Sequence, residues 1–169
     1  MDGLIDQAKS QLWAIVGEFT KLELGGKTAR LEVALSEYGN NGIPADTGYI
    51  RQVVPLTEDV DRISEALFAL KTNGGDEYCG QVVQVATQQL KWSAGPRDLR
   101  AIFIAGNEPF TQGAVDYRVA CKAAANKGIT ISTIHCGDRE TGIAGQWEDG
   151  AKLADGSYFC INQDHKTRD

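Results

Sequence analysis

At 169 residues the chain is long enough for one domain with a sizeable core, and its 42% apolar and 24% charged residues are ordinary for a globular fold. A net charge of −6 with scattered Lys and Arg argues against nucleic acid, which calls for a concentrated basic surface, and leaves a cation or a basic protein patch open. No apolar run is long enough to span a bilayer, and no basic segment leading into an apolar one marks a signal peptide.

The first predicted element is a helix over about Gly3–Lys21. Leu4, Ile5, Ala8, Leu12, Ile15, Val16 and Phe19 recur at helical spacing and make one buried stripe, and Gly25 and Gly26 are read as its end. ARLEVALSEY alternates as a strand with one face more buried, and IRQVVPL reads as its antiparallel partner, with Pro55 at an edge position. Thr57 is the expected cap of a helix whose stripe is Val60, Ile63, Leu67 and Leu70. A further helix runs over about Tyr78–Lys91.

The second half repeats strand and helix. Arg100–Ala105 is a strand, about Ala114–Lys127 a helix stopped by Gly128, and GITISTIHC a strand that enters the polar loop CGDRETG. A short helix with Trp147, Ala151 and Ala154 on one face ends at Gly156. SYFCI is the last strand, and HKTRD with His165 trails off in charge. Strands alternating with helices predict an α/β fold: a doubly wound, mostly parallel sheet with one antiparallel edge strand and helices on both faces.

The four cysteines, Cys79, Cys121, Cys136 and Cys160, form no CxxC pair and are too dispersed for a zinc site. They read as small apolar core residues, with a Cys136–Cys160 disulfide as the alternative if their strands are neighbours.

The order of these segments resembles a von Willebrand factor type A domain of the bacterial kind. The likeness is carried by MDGLIDQAKSQL, LEVALSEYGN, PLTEDVDRISEALFALKTNGGDEYCG, IFIAGNEPFTQG, ITISTIHCG and GQWEDGAKLADGSYFCI, which cover nearly all of residues 1–169 as a single domain. The resemblance implies a Rossmann-like sheet whose upper loops recognise a protein partner. In many such domains a Mg²⁺ or Mn²⁺ ion sits there in a metal-ion-dependent adhesion site, since a hard divalent ion takes oxygen ligands. Family members of this kind are often exported, which implies an extracytoplasmic location.

The family draws ion ligands from three loops. The D-x-S-x-S motif and the central strand before it would precede Met1, so the resemblance implies a piece of a longer protein. It also implies that the neighbouring strands lose ladder partners and the first helix loses part of its floor, with self-association through the free edges as one repair. The second loop's Thr falls on Glu77, after Gly74 and Gly75. The third loop's Asp falls on Gly106, with Asn107 next. Asp76, Glu77, Asn107 and Glu108 are the candidate binding residues, and Glu77 and Asn107 the weak metal candidates, within a degenerate site. Bland roles stand beside these: a turn at Gly74–Gly75, acids at a helix start, and an Asx-turn at Asn107 stiffened by Pro109.

Two rival readings differ in class. An enzyme would use His135 and Cys136 at the end of a strand, but adjacent strand residues point to opposite faces and make a poor pair. A purely structural domain would pack against other parts of its own chain. No nucleophile with a matching base is evident, so the sequence reads as a binding module and not an enzyme.

Overall fold

The computed structural model describes residues 2–71 and 74–161, so the tail carrying His165 and the side chain of Leu4 lie outside the described residues. The elements follow the predicted order: α1 (Asp2–Thr20), β1 (Glu23–Leu24), β2 (Lys27–Thr28), β3 (Val33–Tyr38), β4 (Ile50–Thr57), α2 (Val60–Ala69), α3 (Cys79–Gln89), β5 (Arg100–Gly106), α4 (Tyr117–Asn126), β6 (Ile129–Cys136), α5 (Arg139–Ala144), α6 (Trp147–Leu153) and β7 (Tyr158–Ile161).

The strands form separate groups. β5, β6 and β7 make a parallel sheet in that order, and β3 and β4 make an antiparallel pair whose register slips at Leu35. β1 and β2 form a small hairpin around Gly25 and Gly26, at φ +61° and +78°. Those glycines therefore do not end α1, which stops at Thr20. They are the positive-φ pair that a two-residue hairpin turn requires.

Period-two alternation assigns the faces. On β5, Ile102 and Ile104 pack with Val83 of α3 and with Ile131 of β6, while Ala105 joins Ala8, Leu12 and Ile15 of α1. On β6, Ile129 and Ile131 belong to the α3–α4 side, and Ile134 and Cys136 to the α1 side. Helices thus cover both faces, as the doubly wound reading requires. β6 is its most deeply buried strand. α1 is less well covered: Ala8 is 1% exposed, but Leu12, Ile15, Val16 and Phe19 are only half-buried. The buried Lys9 ties α1 to the end of α2 by donating from Nζ to the Leu70 carbonyl.

The β3–β4 pair and the parallel sheet share no ladder hydrogen bonds. Instead the Tyr38 hydroxyl donates to the Ala105 carbonyl at 2.7 Å, and the Cys79 thiol lies 3.7 Å from the same hydroxyl. A side chain bridges where a paired strand, at roughly 4.8 Å spacing, would have used its own amides.

Local chemistry moves several expected boundaries. Asp59, not Thr57, caps α2 by accepting from the Arg62 amide, and Thr57 Oγ1 accepts from the Asp59 amide. Leu70 lies just beyond the helix. Asp116 caps α4, which starts at Tyr117. The loop after β6 contains α5, capped by Asp138. Gly128 closes α4 at φ +73°. α6 ends at Leu153, and Gly156 has another duty: a Cβ there would lie 1.7 Å from the Ile131 carbonyl oxygen. All four cysteines are free. The strands of Cys136 and Cys160 are neighbours, but Cys160 sits opposite His135 and Cys136 opposite Ile161, so the two thiols face opposite sides of the sheet.

Candidate functional site

β3 and β5 end at the same place, with Gly39 following one strand and Gly106 closing the other. Both strand ends meet Glu77, which precedes α3. A Cβ on Gly39 (φ +73°) would lie 2.9 Å from Glu77 Cγ, and one on Gly75 would lie 2.5 Å from Asn41 Oδ1. These glycines bring three loops, after β3, before α3 and after β5, into direct contact. This is the carboxyl end of the strands, where open α/β sheets place their ligands.

Glu77 holds the loops together. Its Oε2 accepts from the Asn107 amide at 3.0 Å and the Glu108 amide at 3.1 Å. Its own amide donates to Gln112 Oε1 at 2.8 Å, and Gln112 Nε2 donates to Glu108 Oε2 at 3.3 Å. On the other side, Trp147 Nε1 donates to the Glu108 carbonyl at 2.8 Å and the Phe110 amide to the Gly145 carbonyl at 2.8 Å. The loop after β5 is therefore clamped from two directions. Burial raises the Glu77 pKa, the two amides lower it by a smaller amount, and the charge of Glu108 raises it further.

Gly106 explains how a glutamate fits here. A Cβ at Gly106 would lie 2.4 Å from Glu77 Oε2, 2.6 Å from the Tyr38 hydroxyl and 2.9 Å from the Trp147 ring. The space that a side chain at 106 would fill is taken by the Glu77 carboxylate. Glycine at 106 and glutamate at 77 are therefore sterically coupled: the one leaves the room that the other occupies.

Of the four predicted site residues, Glu77, Asn107 and Glu108 are brought together and Asp76 is exposed beside them. As a Mg²⁺ or Mn²⁺ site this arrangement does not fit. Glu77 spends an oxygen on two backbone donors, Gly106 offers no side chain, and the described residues hold no cluster of three His, Cys, Asp or Glu able to bind a metal. The role of Glu77 seen here is loop anchoring. Sequence reasoning missed Tyr38, Gln112 and Trp147. Trp147 was assigned only to a helix face, and nothing local marks Gln112 or Tyr38, because their partners lie 35 and 67 residues away.

His135 and Cys136 do not form a pair. His135 is 2% exposed, its ring centroid lies 5.8 Å from that of Trp147, and its Nδ1 has no hydrogen-bond partner among the described residues. Burial lowers its pKa, against a smaller opposite pull from the Asp138 and Asn107 backbone. Cys136 faces α1, and burial pushes its thiol up to about 11, so it is not a ready thiolate at neutral pH.

No protein-family profile and no curated protein matches the chain. Solved structures do. The conserved hypothetical protein BatB from Bacteroides thetaiotaomicron shares 18% identity at TM-score 0.66, over 94% of this chain and 80% of that one. The VWA domain of SpRpn10 shares 14% identity at TM-score 0.62, over 94% and 75%. Proximal thread matrix protein 1 from the mussel byssus, with a zinc-occupied MIDAS motif, shares 11% at TM-score 0.64, over 96% of this chain and 39% of that one. At such identities the likeness speaks for architecture, and it agrees with the element order and layers found here: the chain has the fold of a von Willebrand factor type A domain.

Proposed function

We propose that this chain is a protein-recognition module, not an enzyme, and that it binds its partner through the loops at the carboxyl end of β3 and β5 without a divalent ion. The observation that carries the reading is the Glu77 anchor. A carboxylate accepting two backbone amides makes strong, charge-assisted hydrogen bonds. It holds the loop from Asn107 to Gln112 in one shape, which reduces the ordering cost of binding. Asp76 and Glu108 lie beside that anchor and give the surface an acidic character suited to a basic patch on the partner.

Quantitative cross-linking in the source cell tests this. Asp76→Lys with Glu108→Lys is expected to lose the partner recovered with the wild type, while Lys152→Glu on α6 retains it, with circular dichroism unchanged in all three. Full retention by the loop variant would favour a domain that only packs within its own chain. The reading extends to an extracytoplasmic location. Its support is a structure of the same fold described as an aerotolerance-related membrane protein from Bacteroides fragilis, 15% identical at TM-score 0.64. Cell fractionation checks it. Among the described residues no helix is long and apolar enough to cross a membrane.

A further inference from the structure

β6 and β7 set a thiol beside an imidazole. His135 and Cys160 are register partners on these parallel strands, so their side chains leave the sheet on the same face as neighbours. α5 packs over that face. Its Gly142 touches the ring: a Cβ there would overlap the Tyr158 hydroxyl and lie 2.7 Å from His135 Nδ1. Tyr158 stands two residues before Cys160 on the same face of β7, so the Nδ1 edge of the ring is turned toward the strand that carries Cys160. Nδ1 is sealed from solvent and has no hydrogen-bond partner among the described residues. The Asp138 and Asn107 backbone lies against the same ring and favours a ring N–H directed at it. With that hydrogen on Nε2, Nδ1 presents a bare lone pair, and burial keeps the ring neutral at neutral pH. A buried polar atom without a partner is costly. Cys160 is only half-buried, whereas Cys79, Cys121 and Cys136 are buried, so solvent reaches this pair through Cys160.

We propose that Cys160 Sγ and His135 Nδ1 form a two-donor site for a soft monovalent metal ion, copper(I). The donor set selects the ion. A thiolate favours soft metals, and an imidazole suits copper. Zinc takes four ligands and the hard divalent ions take oxygen, whereas copper(I), with its closed d shell, is satisfied by two donors. Among the described residues no third His, Cys, Asp or Glu completes a larger set. The charges also balance. A thiolate, a neutral imidazole and a monovalent cation sum to zero, so the loaded site lies beneath α5 without the penalty of a buried net charge, which a divalent ion would incur. Binding exchanges a proton for the ion: the S–H bond of Cys160 breaks, its proton passes to solvent, and the sulfur–copper bond forms with no change of oxidation state.

The test uses the full chain, reduced and kept free of oxygen, titrated with copper(I) in competition with a chromophoric copper(I) chelator. One ion per chain is expected. Cys160→Ser should weaken binding by about a hundredfold, while Cys136→Ala, on the opposite face of the sheet, leaves it unchanged. Substituting His135 would disturb its packing on Trp147, so its part is read in the unsubstituted chain. Copper(I) should move the Nδ1 resonance of His135 in long-range proton–nitrogen correlation spectra, with Nε2 keeping its hydrogen. Binding that survives Cys160→Ser overturns the proposal, as does binding that leaves the Nδ1 resonance in place, or no binding at all. Displacement of copper(I) by an equal concentration of zinc(II) would also overturn it, because further ligands would then have to complete the set.

Discussion

β6 and β5 are neighbours of similar length and composition, yet they are buried very differently. β6 lies between two paired strands and two helix layers, and Ile129, Ile131, Thr133, Ile134 and His135 are each 2% exposed or less. Among the described residues β5 has a ladder partner on one side only, and of its residues Ile104 alone is buried. The same α/β architecture thus contains a strand finished on both edges and, among the described residues, one paired on a single edge. Helices on both faces do not complete a strand. A strand needs its two edges filled as well, since backbone groups left without partners keep water close.

Four tests sharpen or break that contrast. The largest effect is expected at the finished strand. Ile131→Ala removes a fully buried side chain and should cost about 2–5 kcal/mol, whereas Ile102→Ala, its half-buried register partner, should cost less than half as much. Urea denaturation of both variants measures this, and equal losses would mean that β5 is as well packed as β6. Next comes Gly106→Ala at the end of β5, expected to destabilise by about 1–3 kcal/mol through overpacking against Glu77, Tyr38 and Trp147. Part of that loss should return when Glu77→Ala is added, giving a non-additive double-mutant cycle. Additive losses would show that the 77–106 pairing is not a coupled one.

Tyr38→Phe removes the bond between the two halves. A loss of about 0.5–1.5 kcal/mol is expected, the net contribution of a single hydrogen bond. A larger loss in the same titration would mean that the Ala105 carbonyl is sealed from solvent. The smallest effect is a pH dependence. Folding raises the Glu77 pKa above its ordinary value of 4.5, so the ionised form is disfavoured in the native state. The stability this group contributes is then fully present below the unfolded-state pKa and is lost as pH rises through the raised native one. Glu77→Gln keeps an acceptor for the two amides and abolishes the titration. Its stability relative to wild type should therefore rise with pH from about 4.5 upward; a flat difference between pH 4 and 8 would refute the shift.

Much of the architecture was legible because the chain repeats strand and helix with clear periods. β6 reads as ITISTIHC, apolar on both faces, and is buried on both. Asp59 could not be told from Thr57 as the cap of α2, because both offer a side-chain oxygen and they stand two positions apart. The hairpin at Gly25–Gly26 was lost for a related reason: two glycines end a helix as readily as they turn a strand. At the candidate site the sequence pointed to residues that the fold brings together, and it did not show what Glu77 touches. Glu77, Asn107 and Glu108 do converge, but whether a carboxylate faces an ion or a pair of amides is decided by where the β5 loop folds, 30 residues away. The absence of a side chain at 106 was legible as a loss. That it makes room for Glu77 was not, because no local pattern links the two positions.

The glycine at 106 also imposes an order on sequence change. A chain carrying a side chain there has no room for a glutamate at 77 in this pose, whereas a chain with glycine at 106 accepts either residue at 77. With the Glu77 carboxylate seated, position 106 is confined to glycine, and a side chain there requires a shorter residue at 77 first.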